Sequence, residues 1–120
     1  MAYSDLTFEE IQSQFQIEFL EQNDLFGSVE PRQPSQMLQD ILEDSIPLAL
    51  SSDTEKARSE MIVAPILMEL WRMFNRRISL FSGIEFNVDR SRGLNGRCDF
   101  IISQSVSLLS MSAPVLTVVE

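Results

Sequence analysis

Residues 96–103 read Gly-Arg-Cys-Asp-Phe-Ile-Ile-Ser, and the acid at their centre decides how the chain folds. Phe100-Ile101-Ile102 is a short apolar run bounded by turn residues, the composition of a β-strand. Asp99 stands inside it. A carboxylate is rarely placed in such a run unless it is paired, hydrogen-bonded or holding a cation, because desolvating it is expensive. Upstream, residues 90–96 (RSRGLNG) form a turn with an Asn95-Gly96 hairpin signal. Before that turn, residues 78–89 (ISLFSGIEFNVD) have strand character. Downstream, residues 113–120 (APVLTVVE) predict a third strand. Its Val115–Val119 run has the aliphatic composition of a strand buried on both faces, and it closes on Glu120.

The first half of the chain reads helical. Thr7 and Glu10 match a capping box, and Phe8, Ile11, Phe15 and Phe19 recur at helical spacing. Residues 23–36 break the pattern with Asn, Gly and two prolines. Ser35 can cap a second helix that carries Met37, Leu38, Ile41 and Leu42 on one face and stops near Pro47. A third helix starts around Ser52 to Thr54 and runs to about Asn75. Between Met61 and Phe74 it is apolar nearly all round, which predicts a central buried element, with Pro65 costing a hydrogen bond and bending the axis. The expected class is therefore α/β (α+β): N-terminal helices, one long buried helix, then a three-stranded sheet. Residues 1–120 are expected to form a single domain, with residues 1–50 an acidic helical segment preceding the core in 51–120.

With 44% hydrophobic and 22% charged residues the chain has globular rather than disordered composition. The absence of histidine removes His-based zinc sites, Ser-His-Asp triads and Cys-His pairs together. Cys98 is a lone cysteine without a disulfide partner in the chain. No apolar run is long enough for a membrane span, and the acidic N-terminus differs from the basic-then-apolar pattern of a leader, so a cytoplasmic protein without membrane association is expected. The net charge of −9 hides an asymmetry. Twelve acids against Arg32 leave −11 in residues 1–55, whereas eight bases against six acids leave +2 in residues 56–120. That division suggests a basic working face and an acidic appendage.

Two acids in adjacent strands, Asp99 and Glu120, can converge on one ion. Magnesium (or manganese) suits them, since it takes one or two carboxylates and completes its shell with water and phosphate oxygens. Glu60 and Glu69 compete for a third position on the long helix. At about 100° per residue they fall on opposite sides. Glu60 lies among Ala64, Leu67, Trp71 and Phe74 on an inward face, or simply complements the helix dipole near its start. Glu69 lies with Arg58, Arg72 and Arg76, where pairing with Arg72 explains it. Glu60 is the expected third acid.

A glutamate on a helix, then GRCDFII, then PVLTVVE resembles the PD-(D/E)XK nuclease superfamily, whose restriction-endonuclease-like core is α-β-β-β-α-β. More closely, SEMIVAPILMEL (59–70), LFSGIEFNVD (80–89) and LNGRCDFIIS (94–103) are similar to a group of largely uncharacterised bacterial, notably cyanobacterial, proteins of that fold. The likeness covers about residues 55–120. It implies a magnesium-dependent phosphodiesterase acting on DNA, with Asp99 and Glu120 as metal ligands and Glu60 as the helical acid. Glu120 would open a Glu-x-Lys motif whose lysine is not in this sequence, as the second helix and fourth strand of the core are not. A fragment of a longer parent, a frame-truncated gene or a short variant completed by a partner chain would each explain this; the fragment is the expectation, inactive at this length. An open strand edge also predicts self-association through the C-terminal strand.

Arg90, Arg92 and Arg97 cluster on the hairpin beside Asp99 and are candidate phosphate contacts for a DNA strand, or simply a solvated turn. A different class of function also fits: a catalytically silent module that keeps the nuclease-like fold and binds protein partners. Trp71, Met68, Met73 and Phe74 read as core, and Cys98 as a small buried hydrophobe.

Overall fold

The computed structural model describes residues 2–104 and 115–119. Its elements are a 3₁₀ turn (Tyr3–Asp5), α1 (Phe8–Phe15), α2 (Gln36–Ser52), α3 (Glu55–Arg58), a π-helical turn (Ser59–Val63) and α4 (Ala64–Met73). Strands β1 (Ser79–Glu85), β2 (Arg97–Ser103) and β3 (Val115–Val119) follow, with a 3₁₀ turn (Arg90–Arg92) in the loop between β1 and β2. The expected order of N-terminal helices, a long helix and a three-stranded sheet is the observed one. Contacts divide the chain into two compact units, Met1–Arg32 with Glu85–Arg97, and Gln33–Ile84 with Cys98–Glu120.

The first unit is held by local polar contacts. Thr7 Oγ1 accepts from Glu10 N–H at 3.3 Å while the Glu10 carboxylate accepts from Thr7 N–H at 2.8 Å, the reciprocal cap read from the sequence. The helix it opens stops early, at Gln16 in the left-handed region (φ 54°), so Phe19 falls outside it. The Phe19 ring still meets that of Phe8 at 4.5 Å. The hairpin turns elsewhere than at Asn95-Gly96. Asp89 accepts from Ser91 N–H (3.0 Å) and Ser91 Oγ (2.6 Å), Gly93 takes φ 76°, and Asp89 bridges Leu94. Those residues supply the cap and the left-handed position that the turn needs. Gly96 is instead a site of close approach: its carbonyl accepts from Phe86 N–H, and an added Cβ would lie 2.8 Å from the Tyr3 ring.

The second unit contains the apolar core. Leu67, Ile78, Phe100 and Ile102 pack together, joined by Val63, Ala64, Leu70, Trp71, Leu80 and Val119. α2 is capped by Ser35 and runs through Pro47 to Ser52, five residues beyond the expected stop, with Asp53 (φ 50°) as its C-cap. Proline removes one donor, but Ala49, fully buried beyond it, anchors the last turn. The helical run of α3, π-turn and α4 is less enclosed than its composition predicts. Leu67 is buried, whereas Ile66, Met68, Met73 and Phe74 are exposed, so this run buries one stripe rather than its whole circumference.

Pro65 leaves that run unbroken. The turn before it widens until Ala64 N–H reaches Ser59 O, a π-helical bond that accommodates the proline's missing donor and bulky ring. β2 is the central strand, in the order β1-β2-β3, and β3 runs antiparallel to it with Phe100 opposite Val119 and Ile101 opposite Val118. Contrary to the doubly buried strand expected, Val118 is exposed although Ile101 opposite it is fully buried, and β3 adjoins β2 alone among the described strands.

Candidate functional site

Along β2 the side chains alternate at the N-terminal end. Cys98 is buried, Asp99 is exposed and Phe100 is buried again. Strand period two puts Asp99 opposite Cys98 and Phe100, on the face it shares with the fully buried Ile101, and its exposure belongs to the N-terminal end of the strand. This corrects the expectation that Asp99 is a desolvated carboxylate. It needs no partner for stability, and water or a ligand can reach it.

Glu60 is corrected in the same sense. It sits on the π-turn, exposed rather than inward, with its carboxylate 3.9 Å from Lys56 Nζ. A wheel of constant pitch fails here because the widened turn holds an extra residue and rotates everything across it. Glu69 does not need Arg72 either. Its carboxylate accepts from Ser35 N–H at 3.0 Å and from Ser35 Oγ, tying the start of α2 to α4, while Arg72 Nη1 lies 3.4 Å from Met37 Sδ.

The two corrected acids nevertheless share one place. Asp99 and Glu60 both line a cleft of about 490 Å³, together with Glu55, Lys56, Ser59, Ser82, Gly83 and Phe100. One wall comes from α3 and the π-turn, the other from β1 and β2. A smaller hollow of about 160 Å³ shares Glu55, Ser59, Asp99 and Phe100 and adds Arg58, Val63 and Val119. Gly83 lies in mid-strand with φ 61°, a conformation that leaves a side chain strained, so β1 departs from regular geometry where it lines the cleft.

Glu120 lies outside the described residues. Among those described, no three His, Cys, Asp or Glu side chains come together as a metal cluster. Glu55, Glu60 and Asp99 nevertheless line one open cleft, and magnesium, which keeps several of its waters, asks for only one or two carboxylates. Glu55, Lys56, Ser59, Ser82 and Gly83 are the lining residues that sequence reasoning did not assign to a site. A glycine inside a strand pattern was the one legible signal among them, since it marks a bulge or a close backbone approach.

The hairpin arginines belong to the first unit, and none is among the residues lining the cleft. Two of them have neighbours within that unit. Arg90 Nη2 lies 3.7 Å from Glu85, and the Arg92 guanidinium rests 4.6 Å over the Phe15 ring and donates to Gln14 O at 3.5 Å. Arg97 is exposed. Nearby, the Asp89 carboxyl is held below its ordinary value, chiefly by the Ser91 hydroxyl that donates to it.

Compared with protein-family models, with curated proteins and with solved structures, the chain matches none of them. Among the described residues no helix is long and apolar enough to cross a membrane.

Proposed function

We propose that the chain carries a nuclease-like site for magnesium-dependent hydrolysis of DNA phosphodiesters, built on a restriction-endonuclease-like core in a cytoplasmic protein. The observation that carries this reading is that Asp99 and Glu60, far apart in sequence, line one open cleft. Asp99 and Glu120 would hold the metal, and Glu60 would orient a ligand or an attacking water. Bound magnesium (or manganese) supplies a Lewis acid for the phosphoryl oxygen and makes water a better nucleophile. Exposure of both described carboxylates suits this role, because an acid already in contact with water can exchange that water for an ion at little cost.

The test is metal affinity followed by cleavage. Asp99→Ala should abolish manganese binding measured by calorimetry, and with it any magnesium-dependent nicking of a supercoiled plasmid. Unchanged manganese affinity in Asp99→Ala would exclude the reading.

A second reading, a catalytically silent and self-associating interaction module, is favoured by a separate observation. Exposed apolar side chains are numerous on α2 and α4, including Met37, Ile41, Leu48, Leu50, Ile66 and Met68. Sedimentation over a wide concentration range decides it, since a monomer throughout would remove this alternative.

A further inference from the structure

We propose that Lys56 is the phosphate-contacting cation of the cleft, exchanging its Glu60 carboxylate for the backbone of a bound DNA strand. The inference rests on the phosphodiester reading above and adds a residue to it. Three carboxylates, Glu55, Glu60 and Asp99, line the larger cleft, and on their own they repel a polyanion. One cation stands among them, and it is the only lysine of the chain. The neighbouring Arg58, which lines the smaller hollow, is held by Asp53 with Nη1 and Oδ1 2.7 Å apart. Lys56 is held much more loosely: its partner is 3.9 Å away, and both side chains are largely in solvent. An exposed pair of that length binds weakly and releases easily. An ammonium on a four-carbon stem, with three rotatable donors, is also the group best able to change partners without moving the backbone. The contact with Glu60 then has a defined consequence. It keeps the ammonium over the cleft when no strand is bound, and it competes with the phosphate for it.

The competition gives the test its sign. Binding of a short fluorescein-labelled DNA duplex with phosphorothioate linkages, in the presence of magnesium, is followed by anisotropy at several salt concentrations. Lys56→Met should weaken binding by about tenfold. It should also lower the salt dependence of log Kd by about 0.9, the loss of one phosphate contact. Lys56→Arg should retain both. Glu60→Gln should tighten binding by about two- to threefold, because it frees the ammonium. Lys56→Met and Glu60→Gln break the same ion pair, so a merely structural role would move both variants in one direction. Binding by Lys56→Met with wild-type affinity and salt slope overturns the inference alone. A wild-type chain that does not bind the duplex overturns it too. If Asp99→Ala then also leaves manganese affinity unchanged, the parent reading falls with it.

Discussion

The two units of the chain are ordered by different physics. Among the described residues, every buried apolar residue of the core, from Leu38 through Ile102, belongs to the second unit. The first unit exposes Phe8, Ile17, Phe19, Leu20, Leu25, Phe26 and Val29, and it is held by a capping box, turn hydrogen bonds and a cation over an aromatic ring. Burial of apolar area is the dominant favourable term in folding, whereas exposed hydrogen bonds contribute little net. Cooperative stability should therefore reside in the second unit, and local, easily lost order in the first. The cleft lies in the unit with the core, on a helix-and-strand frame that can hold its acids in place.

The comparison can be broken most decisively in the core. Ile101 is fully buried, so Ile101→Ala should destabilise the second unit by about 2–5 kcal/mol. Phe26→Ala, at an exposed site of the first unit, should stay within about 0.5 kcal/mol of the wild type. Urea unfolding followed by the fluorescence of Trp71 reads both. Equal costs would show that the first unit has a core of its own. A smaller effect is expected at Gly83, whose φ of 61° costs a substituted residue about 1–2 kcal/mol; Gly83→Ala should lower the urea midpoint accordingly. Smaller again is the link between Glu69 and Ser35. Glu69→Ala should cost about 1 kcal/mol and raise amide exchange at Leu38 and Gln39, at the start of α2.

Acid sharpens the contrast without a mutation. The Glu10 carboxyl is held below its ordinary value by the Thr7 amide and then the Thr7 hydroxyl, and Asp89 by the Ser91 hydroxyl. Folded values below the unfolded ones mean that each cap contributes fully above the unfolded pKa and is lost as pH falls through the folded one. On acidification below the ordinary carboxylate range, the amide resonances of Glu10 and Ser91 should therefore shift first. Those of Ile101 and Ile102, in the core strand, should hold. Simultaneous loss of both sets would mean that the units unfold together.

The sequence was readable where local chemistry governs. The Thr7–Glu10 box, the Ser35 cap and the strand at Arg97–Ser103 all stand where propensity and pattern put them. It was misread where tertiary context overrides a local rule. Pro47 does not stop α2 because Ala49 is buried beyond it, and Pro65 does not visibly break its helix because the π-turn absorbs the lost donor. That same turn spoiled the helical wheel and with it the assigned face of Glu60. Asp99 stood in an apolar run, but period two, read strictly, already placed it opposite Cys98 and Phe100. The partnership of Glu60, Lys56 and Asp99 in one cleft was only half legible, because it depends on how α3 and the π-turn sit over β1 and β2.

The most direct measurement is paramagnetic mapping with manganese on the isotopically labelled chain. Substoichiometric manganese should broaden the amides of Glu60, Ser82, Gly83 and Phe100, around Asp99, and Asp99→Ala should restore them. Broadening confined to the acidic residues of the first unit, such as Glu18, Glu21 and Asp24, or unaltered by Asp99→Ala, would contradict the proposed metal site.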